Sequence, residues 1–361
     1  MKYKDLNTST IDLFCGAGGL TFGLRSSGLK VVAGFDIDPH CKYVYEENNP
    51  GTQFFEQDIN DLAIEDIEKL FEPNSYKILV GCAPCQYFSK YARSAREKSD
   101  EKWTLVRSFG KIIEQTWPDI VSMENVPELA SHPVFNEFVA KLTGVGYHVS
   151  FRKVYCPAYG IPQQRERLVL LASRFGDIQL MPPQFKPEEY PTVRSAIGSL
   201  SPIEAGEKSS IDPFHISSKL SDINLKRIRA SKAGGTWRDW DDDLVSDCHR
   251  QKSGQTYVSV YGRMEWDKPS PTITTQYFGF GNGRFGHPDQ DRAISLREGA
   301  ILQSFPPSYK LARDAEKARF STIGRIIGNA VPPKLGEVIG QSIIMHLKTL
   351  KSSRKVENNG K

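Results

Sequence analysis

Three glycines stand together in DLFCGAGGLTFGL, residues 12–24: Gly16, Gly18 and Gly19. They follow a short apolar run and precede an amphipathic segment, which predicts a turn between a strand and a helix. Only glycine lets the backbone approach a ligand closely at such a turn. The stretch therefore predicts the first strand, turn and helix of an α/β fold with a ligand at the turn.

Acidic residues at the ends of the next predicted strands indicate what kind of ligand this is. Asp36 ends the second strand, twenty positions after Gly16, and Asp58 follows a third short run, QFF. An acid in the place of Asp36 bonds ribose hydroxyls in dinucleotide-type sites, and Asp58 is placed to meet an adenine edge. The pattern G-A-G-G disfavours a pyrophosphate cradle, but spacing alone does not choose between NAD, FAD and S-adenosylmethionine.

Short apolar runs alternate with longer amphipathic ones from residue 10 to residue 172. The predicted strands are 10–14, 30–35, 76–81, 119–123, 148–154 and 167–172, and helix-like stretches include 39–48, 61–71, 103–116 and 134–143. This alternation is typical of a parallel sheet covered on both faces. We predict a doubly wound, mostly parallel, Rossmann-like α/β sheet with a second, smaller domain.

The alternation stops near Phe175 and gives way to the proline-rich MPPQFKPEEYP, residues 181–191. Four segments are predicted from this change: a catalytic and cofactor-binding domain (1–174), a second domain (175–280), a return to the first domain with a C-terminal helix (281–350), and a disordered tail (351–361). The tail is polar and charged.

Composition excludes several classes of protein. The 361 residues include 47 Lys and Arg against 43 Asp and Glu, a net charge of +4 that permits nucleic-acid binding without arguing for it. Six scattered cysteines do not form a disulfide framework. The N-terminus has no apolar signal segment, and no apolar run is long enough to cross a bilayer. We expect a cytoplasmic protein with reduced thiols.

Two cysteines three positions apart, Cys82 and Cys85, allow three interpretations: a redox pair, half of a metal site, or one nucleophile with a bystander. A redox C-x-x-C normally begins a helix, whereas Pro84 and the polar residues after Cys85 fit a loop. No second C-x-x-C is present, so we predict no metal site. The motif follows the predicted strand 76–81, at the edge where α/β sheets place their chemistry.

Further polar residues favour the nucleophile. Glu124 and Asn125 follow the strand 119–123, and Gln163, Arg165 and Arg167 lead into another strand. These side chains are predicted to converge with the thiol beside the glycine turn. A redox pair needs no such partners.

Taken in order, these segments resemble a C5-cytosine DNA methyltransferase of the bacterial restriction–modification type. The matching motifs span residues 12–333: DLFCGAGGL, FDIDP, EQDIN, GCAPCQYFS, MENV, QQRER, LREGAILQSFP and GNAVPP. The stretch between QQRER and LREGA is where the family keeps its target-recognition domain. The resemblance implies transfer of a methyl group from S-adenosylmethionine to C5 of a flipped cytosine in double-stranded DNA, through a covalent adduct of Cys85 with C6.

The resemblance also implies residue roles. Cys85 is the nucleophile, Glu124 engages the cytosine and Arg165 supports Glu124. Phe14 stacks on the cofactor's adenine, Asp36 binds the ribose and Asp58 the adenine amine. Other residues expected at the cofactor are Gly16, Gly18, Gly19, Ile37, Ile59, Asn329 and Val331. Those expected at the substrate are Pro84, Gln86, Ser89, Asn125, Gln163 and Arg167. In the second domain, Arg238 and Arg263 are predicted to contact DNA bases, because arginine on guanine is the commonest specific contact in the major groove.

Two positions depart from the family pattern. The family more often has Glu where this chain has Asp36, and a shorter acid predicts weaker cofactor binding that other contacts compensate. Many members have glycine or another residue where this chain has Cys82, to which the resemblance assigns no role.

Partners and alternatives complete the prediction. We expect a monomer that protects host DNA. A cognate restriction endonuclease can belong to the same system, without forming a stable complex with the methyltransferase. A tRNA cytosine methyltransferase of the same fold is disfavoured by the long region after QQRER. A non-catalytic DNA-binding regulator is disfavoured by the intact set of Cys85, Glu124 and Arg165, and a thiol oxidoreductase by the same set.

Overall fold

The computed structural model describes residues 6–84 and 103–359, with side chains up to residue 352. The predicted site residues Cys85, Gln86 and Ser89 lie outside the described residues. The chain divides into two compact units. The first, called here the sheet unit, comprises Met1–Tyr155, Glu166–Pro183 and Ala330–Lys361, and the second unit comprises Cys156–Arg165 and Gln184–Asn329. The second unit thus extends to Asn329, whereas the sequence prediction returned the chain to the first domain at residue 281.

The described residues of the sheet unit form a seven-stranded sheet in the order β3-β2-β1-β4-β5-β7-β6. Its strands are β1 (Thr8–Leu13), β2 (Val31–Asp36), β3 (Gln53–Glu56), β4 (Tyr76–Gly81), β5 (Ile120–Asn125), β6 (His148–Tyr155) and β7 (Glu166–Ser173). Every neighbouring pair from β3 to β5 is parallel. β7 is antiparallel to both β5 and β6, so the predicted doubly wound, mostly parallel sheet is confirmed with one reversed strand.

Helices cover both faces of this sheet. Those of the sheet unit are α1 (Gly19–Ser27), α2 (Cys41–Asn48), α3 (Ile64–Leu70), α4 (Thr104–Thr116), α5 (Pro133–Gly144) and α11 (Pro333–Asn359). Ile11 and Leu13 of β1 share a core with Phe109 of α4. Asp12 points the opposite way, because side chains alternate along a strand, and it accepts a hydrogen bond from Thr21 of α1.

The C-terminal helix continues further than the sequence predicted. α11 runs to Asn359, past residue 351, where the sequence analysis placed the start of a disordered tail. Lysine, arginine and glutamate are good helix formers, so the polar composition of this segment is compatible with a helix. No helix among the described residues is long and apolar enough to cross a membrane.

The second unit has little regular structure. Its helices are α6 (Val193–Ile197), α7 (Asp222–Ala230), α8 (Asp247–Arg250), α9 (Leu296–Leu302) and α10 (Phe320–Asn329). In the described residues, 3-10 helices lie at Ile59–Asp61 and Pro127–Ser131 in the sheet unit, and at Cys156–Tyr159, Pro187–Glu189, Trp237–Asp239, Asp242–Leu244 and Phe280–Asn282 in the second unit. Small aromatic clusters hold the second unit together, one of them built on Trp237, Trp240 and Val260. The two tryptophans are buried.

Glycines bring α1 and α11 into direct backbone contact. A Cβ added at Gly23 would lie 2.1 Å from the carbonyl oxygen of Pro333 and 2.5 Å from the amide nitrogen of Glu337. A Cβ at Gly336 would lie 2.7 Å from the carbonyl oxygen of Leu20. The helix that follows the glycine turn is therefore held by the last helix of the chain, and only residues without a side chain permit this distance.

The substitution Gly23→Ala should destabilise the protein, because the new methyl group overlaps backbone atoms that cannot rotate away. Overpacking of this kind costs about 1–3 kcal/mol, so we expect thermal unfolding at a temperature lowered by roughly 1–4 °C. Gly144→Ala is the matched control, since Gly144 ends α5 and nothing lies within 4 Å of the position that the new methyl group would take. Equal melting temperatures for the two variants would contradict this account of the helix contact.

Candidate active site

The predicted site residues Glu124 and Asn125 lie at the carboxyl end of β5, next to the end of β4. Gly81 pairs with Met123 as the last residue pair of the two strands. Beyond it, side chains continue the pairing: the Cys82 thiol donates to Glu124 Oε2 at 2.8 Å, and Asn125 Nδ2 donates to the Ala83 carbonyl at 3.0 Å. The segment that leads through Pro84 toward Cys85 is thus attached to the end of β5.

Glu124 is buried, with 2% of its surface exposed. Its second oxygen, Oε1, lies 2.8 Å from Arg167 Nε. This contact is an ion pair rather than a well-aligned hydrogen bond, since Oε1 has no hydrogen-bond donor in the described residues. A buried carboxylate requires such a partner, because an unpaired charge in the interior is costly.

The antiparallel direction of β7 explains why Arg167 reaches Glu124. Val169 is the register partner of Glu124, and Arg167 lies two residues away on the same face of the sheet. Diagonal neighbours of this kind are within reach of long side chains. A parallel β7 would have begun at the opposite edge of the sheet.

Arg165 and Gln163, also predicted for the site, belong to the second unit. Arg165 Nη1 donates to the Ile273 carbonyl at 3.0 Å. Gln163 is fully buried; its Oε1 accepts from the Ile273 amide at 2.8 Å, and its Nε2 donates to Gln303 Oε1 at 2.5 Å. The structure therefore places Arg167 on Glu124, the contact that the sequence analysis had assigned to Arg165.

The glycine turn and Asp36 form a second part of the site. The Gly16 amide donates to Asp36 Oδ2 at 2.8 Å, and the Asp38 amide donates to Oδ1 at 2.9 Å. These bonds fix the carboxylate's orientation. Gly16 and Gly18 have positive φ angles of 51° and 80°, which explains the need for glycine. Within α1, whose residues are all described, no side chain caps the N-terminus and the first turn holds no acid.

Phe14 has an unusual backbone conformation and Ile37 an unusually exposed side chain. Phe14 has φ of 62°, a left-handed conformation that costs a residue other than glycine about 1–2 kcal/mol, and strain of this kind is concentrated at functional sites. Ile37 is 66% exposed, immediately after Asp36. The open glycine turn, the fixed carboxylate and the two apolar side chains fit a ligand that combines a ribose with an aromatic base.

The other predicted cofactor residues differ in their burial and in the unit to which they belong. Asp58 caps a 3-10 helix, its Oδ1 accepting from the Asn60 amide at 2.9 Å. Ile59 is buried in the sheet unit's core. Asn329 is exposed in the second unit, whereas Val331 is buried in the sheet unit. Among the described residues, no group of three or more His, Cys, Asp or Glu side chains is arranged to hold a metal ion.

A buried polar cluster behind the glycine turn was missed by the sequence analysis. Thr21 Oγ1 donates to Asp12 Oδ2 at 2.7 Å and lies 3.1 Å from the Tyr45 hydroxyl. Asp12 Oδ1 is buried with no hydrogen-bond partner in the described residues. Burial raises the pKa of Asp12 from 3.8 to about 7. The signal in the sequence was a carboxylate within an otherwise apolar strand, TIDLF.

Two arginines were predicted to contact DNA bases, and the structure separates them. Arg263 is 6% exposed. Its Nε donates to the carbonyls of Ile228 and Ser231, its Nη1 to those of His287 and Gln290, and its Nη2 is paired with Asp291. This guanidinium is part of the scaffold, which argues against the predicted base contact. Arg238 is exposed, with Nη2 on the Gln255 carbonyl at 2.9 Å.

Comparison with known proteins assigns the family. Residues 8–345 match the family model of C-5 cytosine-specific DNA methylases. The chain belongs to this family. It is a DNA (cytosine-5)-methyltransferase.

Individual relatives agree with this assignment. The chain is 52% identical to the type II methylase M.HgiDII of Herpetosiphon aurantiacus, over 96% of this chain and 98% of that protein. It is 30% identical to the type II methyltransferase M1.HphI of Haemophilus parahaemolyticus, over 94% and 87% of the two chains. The methyltransferase is thus similar along its whole length to type II enzymes.

Solved structures agree in fold. A putative DNA modification methyltransferase encoded in an Escherichia coli prophage superposes with a TM-score of 0.72 at 22% identity, covering 94% of this chain and 99% of the other. DNMT2 of Spodoptera frugiperda superposes with a TM-score of 0.64 at 18% identity, covering 93% and 99% of the two chains. At these identities the likeness concerns the fold of the methyltransferase alone.

The Asp12 carboxyl should make stability depend on pH. Its folded-state pKa is raised, so its stabilising contribution is complete below pH 3.8 and is lost as the pH rises toward about 7. Asp12→Asn, which cannot ionise, should therefore gain stability relative to the wild type by about 2–3 kcal/mol between pH 5 and pH 8.

Thermal unfolding of both proteins across that range measures the difference. Asp66→Asn, on an exposed side chain of α3, is the control and should show little change with pH. A stability difference between Asp12→Asn and the wild type that stays constant with pH would show that Asp12 does not titrate as described.

Proposed function

We propose that the methyltransferase acts on a cytosine flipped out of duplex DNA, through a covalent bond between Cys85 and C6 of the base, with S-adenosylmethionine as methyl donor. The observation that carries this proposal is the buried Glu124, held by Cys82 and Arg167 at the sheet edge where the chain leads toward Cys85. A buried acid paired with a guanidinium beside the nucleophile's segment matches what the chemistry requires.

Cytosine C5 is a poor nucleophile, and covalent catalysis divides the difficult step into easier ones. The Cys85 thiolate forms a bond to C6, and the π electrons of the C5–C6 bond make C5 electron-rich. C5 then bonds to the methyl group. Water accepts the C5 proton, the electrons of the C5–H bond form the C5–C6 double bond, and the bond between sulfur and C6 breaks to restore the aromatic base and the thiolate.

Addition of the thiolate places negative charge on N3 and O2 of the ring. Glu124 is proposed to hold a proton at N3, which general acid catalysis requires. Arg167, already on Glu124 Oε1, is proposed to meet O2 with its remaining N–H donors, since a guanidinium presents five in a fixed plane. The role first assigned to Arg165 thereby passes to Arg167.

S-adenosylmethionine, when bound, supplies an electrophilic methyl group and leaves as a neutral thioether. Asp36 is proposed to accept hydrogen bonds from its ribose, because each carboxylate oxygen has a second lone pair beside the one directed at its backbone amide. Phe14 and Ile37 are proposed to pack on the adenine. Asp58 is proposed to bind the adenine amine.

The base must leave the duplex, since the face of a stacked ring is not open to a thiol, and extrusion costs a few kcal/mol. The second unit is proposed to select the DNA sequence. Arg238 is retained there as a candidate for a guanine contact, the commonest specific contact in the major groove. We propose that the enzyme is a monomer and that, like a type II methyltransferase, it protects DNA from a cognate endonuclease.

A base-resolution map of 5-methylcytosine tests the proposal, using DNA from cells that express the wild type, Cys85→Ser or Glu124→Gln. We expect one short sequence to be methylated by the wild type and no methylation with Cys85→Ser. Glu124→Gln should be slower by about 10²–10⁴-fold in a purified assay, the usual contribution of general acid catalysis.

Cys248→Ser is the matched control, because Cys248 is exposed in the second unit. Methylation that survives in Cys85→Ser would overturn the covalent mechanism. Unmethylated DNA beside methylated RNA in wild-type cells would overturn the choice of substrate.

The two arginines of the second unit give a separate prediction. Arg238→Ala should weaken binding to the target duplex by about 1–3 kcal/mol and leave the melting temperature unchanged. Arg263→Ala should destabilise the protein by about 2–4 kcal/mol, since it removes the hydrogen bonds of a buried guanidinium to four backbone carbonyls and its ion pair with Asp291. Binding titrations against target and non-target DNA, with thermal unfolding of each variant, separate the two. Unchanged affinity and target choice in Arg238→Ala would remove it as a base contact.

A further inference from the structure

Cys82 has no role in the mechanism, yet sheet register directs it at Glu124. Val80 pairs with Ser122 across β4 and β5. Two residues further along each strand come Cys82 and Glu124, which point to the same face because side chains alternate. The contact at 2.8 Å between Sγ and Oε2 therefore follows from the strand pairing and does not depend on a loop conformation.

The thiol completes the fixation of the carboxylate plane. The last torsion of a glutamate side chain is broad and roughly two-fold, so a single partner leaves the carboxylate free to turn. Arg167 contacts Oε1 and Cys82 contacts Oε2, and partners on both oxygens define the plane. Each ionised oxygen has two lone-pair sites, so the thiol does not prevent Oε2 from meeting a base.

The neighbouring residue attaches the same segment to β5 independently. Asn125 Nδ2 donates to the Ala83 carbonyl, and the Asn125 Oδ1 atom accepts from the Val126 amide at 2.8 Å. The backbone at residues 82–84 is thus held without the Cys82 thiol. A change confined to the thiol should leave this backbone in place and act on Glu124.

We propose that Cys82 is a positioning residue for catalysis: its thiol donates to Glu124 and holds the carboxyl group in the orientation that the flipped cytosine needs. This inference rests on the proposed function of Glu124. It predicts that the hydrogen-bond donor at position 82 affects the chemical step and not substrate binding. Serine should replace cysteine in this role, whereas alanine and valine should not.

The test is steady-state methylation of DNA from a host without cytosine methylation, with kcat and KM measured for four proteins: the wild type, Cys82→Ala, Cys82→Val and Cys82→Ser. Cys82→Ala and Cys82→Val, which lack the donor, should lower kcat about three- to tenfold, the effect of one hydrogen bond to a charged group from a weak donor. KM for DNA and for S-adenosylmethionine should stay within about twofold of the wild-type values, since no substrate contact is removed. Cys82→Ser should recover most of the lost kcat.

Controls separate positioning from packing and from the proposed function. Valine preserves more volume than alanine, so a loss in Cys82→Ala that Cys82→Val restores would overturn the inference in favour of packing. Equal losses in Cys82→Ser and Cys82→Ala, or an effect on KM alone, would overturn it as well. Cys248→Ala should match the wild type. An active wild type with an equally active Cys82→Ala refutes this inference alone, whereas an inactive wild type refutes the proposed function and this inference with it.

Discussion

The pairing of β4 with β5 determines the geometry of the acid and of the segment that leads toward Cys85. Gly81 and Met123 end the backbone ladder, and the next residues on each strand continue it through side chains, Cys82 to Glu124 and Ala83 to Asn125. A slip of one residue in this register would turn Glu124 to the opposite face of the sheet. The buried apolar residues on both faces prevent that slip, so core packing and active-site geometry are set by the same constraint.

The reversed strand β7 supplies what a fully parallel sheet could not. Because it runs antiparallel to β5, it begins at the edge where β5 ends, and Arg167 meets Glu124 there. The cation also makes the buried acid tolerable, since an isolated carboxylate in the interior is strongly disfavoured. One topological feature therefore provides both stability for Glu124 and a donor beside it.

The glycine turn depends on residues that no ligand would touch. Gly23 and Gly336 let α1 and α11 approach at backbone distance, which fixes the helix that follows the turn. Asp12 lies beneath the same turn and reaches Thr21 of α1.

In the second unit, Arg263 holds separate backbone segments together by donating to four carbonyls. Its charge had suggested DNA, but its burial shows that the scaffold uses it.

The sequence by itself determined the alternation of strands and helices, the glycine turn with Asp36 and the order of the motifs, because these depend on local periodicity and spacing. The family model confirms the family that those motifs predicted. Only the tertiary structure decided the direction of β7, the partner of Glu124, the burial of Arg263 and Asp12, and the extent of α11. Each of these depends on which distant segments lie side by side, and register across strands cannot be obtained from the composition of any one strand. Cys82 shows the difference most clearly: it stands three residues before Cys85 in the chain, and only the pairing of β4 with β5 brings its thiol to Glu124.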